Sequence, residues 1–171
     1  MKKIIVSVII VQYKVKNELF ECLESIYKFK PQVNFEIIVV DNDEKKFIED
    51  DLHIKFPNVK YVKSNKNLGF GAGNNLGAKY AIGKYLFFLN PDTKVIGNSI
   101  DELLSAFKIH KNIGIVSPLV VDKKLKSFNT QSYKEIDIKN AVFSFSFLRK
   151  FFPKKNIYYD SNLNNWNKKS L

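Results

Sequence analysis

Apolar positions in the first 120 residues alternate between short unbroken runs and stripes at helical spacing. Residues 4–11, Ile-Ile-Val-Ser-Val-Ile-Ile-Val, are almost wholly β-branched, as expected of a strand covered on both faces. Asn17 is the expected cap of a helix carrying Leu19, Cys22, Leu23 and Ile26 on one face, and Pro31 lies just past its end. Phe35-Glu36-Ile37-Ile38-Val39-Val40 repeats the buried-strand pattern and closes on Asp41-Asn42-Asp43. A helix of poor periodicity is expected over 45–54 and a third strand over 59–62. A glycine- and asparagine-rich turn from Asn65 to Gly77 then leads into a short helix ending near residue 82, followed by a strand over 84–89. Ser99-x-x-Glu102 reads as a capping box ahead of Ile100, Leu103, Leu104 and Phe107, predicting a helix over 99–110. A last strand is expected within 113–121, with Pro118 marking a break or an edge.

This rhythm predicts an α/β fold with a mostly parallel sheet and helices on both faces. Such sheets bind ligands beyond the carboxyl ends of their strands. Asp41 and Asp92 both fall at such ends, so one crevice can hold both if their strands are neighbours, and strand order is not written in the sequence. A glycine-rich turn lets backbone approach a ligand closely, and a carboxylate ending a buried strand can hold a metal over it. Together they suggest a nucleoside diphosphate site. Each feature also has a plainer reading, namely glycines for packing and acids as polar strand ends.

Composition narrows the field. The 171 residues suffice for a packed core, and 45% hydrophobic with 14% aromatic residues argues against disorder. The single cysteine, Cys22, excludes an internal disulfide, fits a reducing compartment and reads as a core residue. The N-terminal apolar run lacks a cleavage site, and no apolar stretch approaches the roughly 20 residues that span a bilayer, so a cytoplasmic location is expected. A formal charge of +11 favours anionic partners. Lysines supply nearly all of it without a zinc-finger or RNA-binding signature, so nucleic acid is not an expected partner.

The glycines fit neither a dinucleotide fingerprint nor a Walker sequence. Starting G-x-G-x-x-G at Gly69 ends on Asn74, and starting at Gly71 ends on Leu76. His53 and His110 stand apart from paired cysteines or carboxylates and read as structural or surface residues.

Taken in order, the strand running into Tyr13, Val39-Val40-Asp41-Asn42, Asn67-Leu68-Gly69-Phe70, Asn74-Asn75-Leu76-Gly77 and Phe88-Leu89-Asn90-Pro91-Asp92-Thr93 resemble the family 2 glycosyltransferases, and among them the rhamnosyltransferase-like branch. Gly114-Ile115-Val116-Ser117-Pro118 resembles the segment that follows. The resemblance covers roughly residues 3–120. It implies a glycosyltransferase A (Rossmann-like) fold over residues 1–122 that binds a dTDP- or UDP-sugar, rhamnose first, for inverting transfer to a saccharide or lipid-linked acceptor in surface polysaccharide synthesis. It further implies that Asp41 contacts the base or ribose and that Tyr13, Asn67, Gly69, Asn74 and Asn75 border the donor pocket. Asn90-Pro91-Asp92 would match the D-x-D element, with Asp92 holding Mg2+ or Mn2+. Hard carboxylate oxygens suit those cations, which offset charge on a diphosphate leaving group.

Departures from the family pattern are Asn90 for the first acid of D-x-D and Lys14 for the asparagine often found after the tyrosine. No F-E-D-x-D-like element follows residue 120, so no general base is assigned. The chain reads as a truncated donor-binding part, with residues 123–171 as a basic aromatic start to the acceptor part and Asn165-Trp166 as the approach to the missing half. The run that opens at Phe143 and closes at Lys155 puts Phe143, Phe147 and Phe151 on one helical face, with Arg149 and Lys150 off it. It suits packing against the sheet, the absent half, or a peripheral contact with the inner face of a membrane. A rival reading makes the chain a non-catalytic module that uses this run to recruit a lipid-linked or anionic partner.

Overall fold

The β-branched N-terminal run becomes β1 (Val6–Gln12), and every one of its seven residues is buried. The structure, a computed structural model, describes residues 3–45, 47–109, 112–124, 132–133 and 158–159. The chain divides into two units, Met1–Val116 and Ser117–Leu171. In the second, β5 (Ser132–Tyr133) pairs antiparallel with β6 (Tyr158–Tyr159). Residues 143–155, His110 and Trp166, on which the expectations above partly rest, lie outside the described residues.

The first unit is built on four parallel strands: β1, β2 (Phe35–Asp41), β3 (Lys60–Lys63) and β4 (Tyr85–Leu89). Their order is β3-β2-β1-β4. The chain winds outward from β1 to β3, then crosses back to lay β4 on the other side of β1. Helices α1 (Lys16–Lys28), α2 (Glu49–Lys55) and α4 (Ser99–Ile109) contribute to the larger core, where Leu19, Leu23, Leu52 and Ile100 meet Val8, Ile10, Ile37 and Val39. The alternate strand residues Ile9, Val11, Ile38, Val40 and Val62 form a second cluster under Leu76 of α3 (Gly69–Lys79). Helices therefore cover both faces, as the pattern predicts.

Several boundaries differ from expectation. Helix α3 begins at Gly69, so Gly71, Gly73, Asn74 and Asn75 are helical rather than part of a preceding turn. The reason is packing. A Cβ on Gly77 would stand 2.5 Å from Ile9 Cγ2, and one on Gly73 would stand 2.8 Å from Val11 Cγ1. These two glycines let α3 lie directly on the sheet, which offsets their poor helix propensity. Asn17 is not the cap of α1, because the helix starts at Lys16 and Val15 precedes it without a side-chain cap bond. The entry is made instead by Gln12, whose Oε1 accepts from Val15 N at 3.3 Å. Ser99 lies within α4 and its hydroxyl donates back to the Ile96 carbonyl, so it is not the residue that caps the helix from outside. Helix α2 covers only the later part of the expected 45–54 stretch and runs one residue past it. The strand expected within 113–121 is not formed: residues 113–120 carry no regular structure, and Val121 makes an isolated bridge. Pro118 removes a ladder donor there.

Candidate functional site

Strand order decides what stands next to what. Gln12 and Asp41 are register partners at the ends of β1 and β2, while Ile10 pairs with Leu89, the last residue of β4. Tyr13 therefore leaves the sheet between Asp41 on one side and Asn90-Pro91-Asp92 on the other. Because the chain winds to opposite sides from β1, the gap between β1 and β4 is the topological switch point, where a crevice opens in sheets of this kind.

Asp41 does not stand open in that crevice. It is fully buried, and four donors reach its carboxylate. Asp43 N (3.0 Å) and the Gln12 amide Nε2 donate to Oδ1, while the Tyr61 hydroxyl (2.8 Å) and Ile48 N (3.4 Å) donate to Oδ2. A carboxylate has about four acceptor positions, and these four donors occupy them. Through these partners Asp41 ties β1, β2, β3 and the loop before α2 into one unit at the strand end where the base or ribose contact is expected. Tyr61 has its phenol pK pushed up, first by burial and then by its hydrogen bond to Asp41.

Next along β2, Asn42 is also buried, and its Nδ2 donates to the Gly69 carbonyl at 3.1 Å. Its Oδ1 is buried with no hydrogen-bond partner among the described residues. An unmet buried acceptor costs about 1–3 kcal/mol. Asn67 Oδ1 accepts from Gly69 N at 2.9 Å, fixing the turn into α3, where Gly69 takes φ +73°. Asn74 is buried and its Nδ2 donates to the Phe70 carbonyl within the helix at 3.1 Å, whereas Asn75 is exposed. Asn67, Gly69 and Asn74 thus belong to the α3 entry that borders the strand ends, and Asn74 serves the helix itself.

Tyr13 is half exposed, and the Lys14 ammonium lies 4.6 Å from its ring centroid. Lys14 adopts φ +60°, a left-handed conformation that costs a residue with a Cβ roughly 1–2 kcal/mol. Its pK is raised, chiefly by the hydrogen bond to Tyr13 and next by that group's charge. Below it lies a cavity of about 340 Å³ lined by Gln12, Lys14, Lys16, Asp43, Lys45 and Ile48. Lys16 is paired with Asp51, which leaves Lys14 and Lys45 beside Asp43 as the cavity's other charges, a lining with a net positive bias. No local pattern announces this cavity, Gln12 or Tyr61, because each acts across strands distant in the chain.

At the end of β4, Asn90 and Asp92 are exposed. The turn between them is closed by Thr93, whose N (3.2 Å) and Oγ1 (2.7 Å) both donate to the Asn90 carbonyl. Among the described residues no three His, Cys, Asp or Glu side chains come together as a self-sufficient metal site. The donors fit a cation of another kind, since Mg2+ is commonly held through one or two carboxylates and completed by substrate phosphates. Cys22 lies beneath this turn, fully buried, with its thiol pK pushed up to about 12 by burial and then by the Asp92 charge. It is a core thiol. His53 is exposed on α2, edge-on to Tyr61. Among the described residues no helix is long and apolar enough to cross a membrane.

Comparison with known proteins follows the same lines. The minor teichoic acid biosynthesis protein GgaB of Bacillus subtilis is 35% identical over 112 residues, which are 62% of this chain and 12% of that protein. The crystal structure of S. aureus TarS 1-349 in complex with UDP-GlcNAc matches with a TM-score of 0.53 at 24% identity, over 70% of this chain and 38% of that one. The mannosyltransferase PcManGT from Pyrobaculum calidifontis, in complex with GDP-Man and Mn2+, matches with a TM-score of 0.52 at 18% identity, over 60% of this chain and 32% of that one. Both structural matches share the α/β architecture expected of a glycosyltransferase A fold. The chain spans from 12% to 52% of the length of the curated relatives it matches. The family model for Glycosyl transferase family 2 matches residues 7–170, nearly the whole chain, which therefore belongs to that family.

Proposed function

We propose that this chain is the donor-binding part of an inverting glycosyltransferase that takes its sugar from a dTDP- or UDP-linked donor, rhamnose being the first candidate. The acceptor would be a saccharide or a lipid-linked saccharide of a surface polysaccharide, met on the cytoplasmic side of the membrane. The observation that carries this reading is the strand order: it brings Tyr13 and the Asn90-Pro91-Asp92 turn to the ends of adjacent strands at the switch point. Support comes from the relatives, one named for teichoic acid biosynthesis and two seen with UDP-GlcNAc or with GDP-Man and Mn2+.

In this reading Tyr13 offers its half-exposed ring to the nucleoside, and the lysines around the adjoining cavity attract the diphosphate. Asp41 acts indirectly, holding Gln12 and the loop after β2 in place. Asn67 and Gly69 shape the α3 rim, while Asn74 and Asn75 stand behind it on the helix. Asp92 and the Asn90 side chain supply oxygen donors for a divalent cation. Such a cation, when bound, offsets the charge that develops on the departing diphosphate. The acceptor's general base is assigned to no residue of this chain.

Calorimetric titration of the 171-residue chain with UDP tests the proposal. We expect micromolar-range binding that Mn2+ strengthens, and loss of the Mn2+ effect in Asp92→Ala. No binding by the wild-type chain, or an undiminished Mn2+ effect in Asp92→Ala, would overturn the site assignment.

A further inference from the structure

The Asn90–Val95 segment is held from below by one helix, and its attachments bracket Asp92. Helix α1 leaves the crevice immediately after Tyr13 and Lys14 and runs under the end of β4. The Cys22 thiol donates to the Asn90 carbonyl at 3.7 Å. That carbonyl also receives both Thr93 donors, so its acceptor capacity is used inside the protein, away from any ligand. One turn further along the same helix face, the Ser25 hydroxyl accepts from Val95 N at 2.9 Å and donates to the Cys22 carbonyl at 2.6 Å. Val95 itself is buried in the core beside Ile100. On the outer side, Lys94 pairs with Glu21 at 2.8 Å between two exposed side chains, which adds little. A buried hydrogen bond at position 95 and a weaker, part-buried thiol contact at position 90 thus hold the segment, while Asp92 between them stays exposed.

A carboxylate on a free loop must surrender conformational freedom when it takes a cation, whereas one on a segment pinned at both ends has already done so. We propose that Cys22 and Ser25 are positioning residues for cation-assisted donor binding, setting the Asp92 carboxylate through the Asn90–Val95 segment. The inference rests on the donor-site reading above and assigns to α1 a role in that site besides its part in the core.

The test compares UDP affinity in Mn2+ with UDP affinity in EDTA for the full chain. Cys22→Ala removes one pin and Ser25→Ala the other. Ser25→Ala is expected to cut the Mn2+-dependent gain about fivefold, the equivalent of one buried hydrogen bond, and Cys22→Ala, which loses the weaker thiol donor, about threefold, while both leave the EDTA value within about 1.5-fold. Cys22→Ser, which puts a hydroxyl donor in place of the thiol, and Ser25→Thr, which keeps the hydroxyl, are expected to restore most of the gain. A purely structural role would instead lower the melting temperature and leave the Mn2+-dependent gain intact in the folded protein, and that result overturns the inference. The two pins are independent, so if one alanine variant fails to fold the other decides. A wild-type chain that binds UDP with no Mn2+ gain overturns the cation site and this inference with it. A wild-type gain lost in Asp92→Ala but kept in both α1 variants overturns this inference alone.

Discussion

Asp41 shows how a buried carboxylate frames the strand ends around it. Its nearest donors come from β1, β3 and its own loop, so the carboxylate is compensated without solvent. Tyr61→Phe removes one of these donors from a charged acceptor and is expected to cost about 1.5 kcal/mol in urea unfolding near pH 7. The pH dependence has a definite sign. Folding raises the Tyr61 pK above its ordinary value of 10, so the unfolded chain releases this proton first. The contribution is therefore complete below about pH 10 and is lost as pH climbs beyond it, and the stability gap between wild type and Tyr61→Phe narrows there. The sequence made Asp41 visible as an acid closing an apolar strand. It could not show Gln12 and Tyr61 converging on it, because both contacts depend on which strands become neighbours.

Among the elements, α3 is where local reading and tertiary packing part. Glycine and asparagine favour turns, and by propensity residues 69–77 read as one. What overrides propensity is the sheet beneath: Gly73 and Gly77 face Val11, Ile9 and Val40 at distances that exclude a methyl group. The helix also supplies a clean pair of variants. A Cβ at Gly77 would come within 2.5 Å of Ile9 and 3.0 Å of Val40, whereas one at Gly71 would meet nothing within 4 Å. Gly77→Ala is expected to destabilise by about 1–3 kcal/mol through overpacking, and Gly71→Ala to stabilise by about 0.5–1 kcal/mol through helix propensity. Thermal melts of the two variants beside wild type read the difference directly. The strands were the most legible elements, since their β-branched runs leave little alternative once both faces are covered. Helix entries were the least legible: at α1 the backbone N–H of Val15 is met by Gln12 of the preceding strand, not by a residue at the expected cap.

At the scale of the whole molecule, positive charge and strand order meet at one end of the sheet. The chain carries a formal +11, and Lys14, Lys16 and Lys45 line the cavity beyond β1 and β2. UDP affinity is expected to fall about threefold between low and roughly 0.5 M salt, while uridine, which lacks phosphates, keeps its affinity. An equal salt response from both ligands in calorimetry would detach the lysines from phosphate recognition. Charge and fold class were readable from the residues alone, but the switch point was not, because it exists only once β4 crosses back beside β1. Helix α1 then gives that switch point a mechanical character. It springs from one rim directly after Lys14 and is fastened beneath the other rim through Cys22 and Ser25. The two rims are thus joined by a strut of fixed length, and a donor would meet a mould already cast rather than a clasp that must shut.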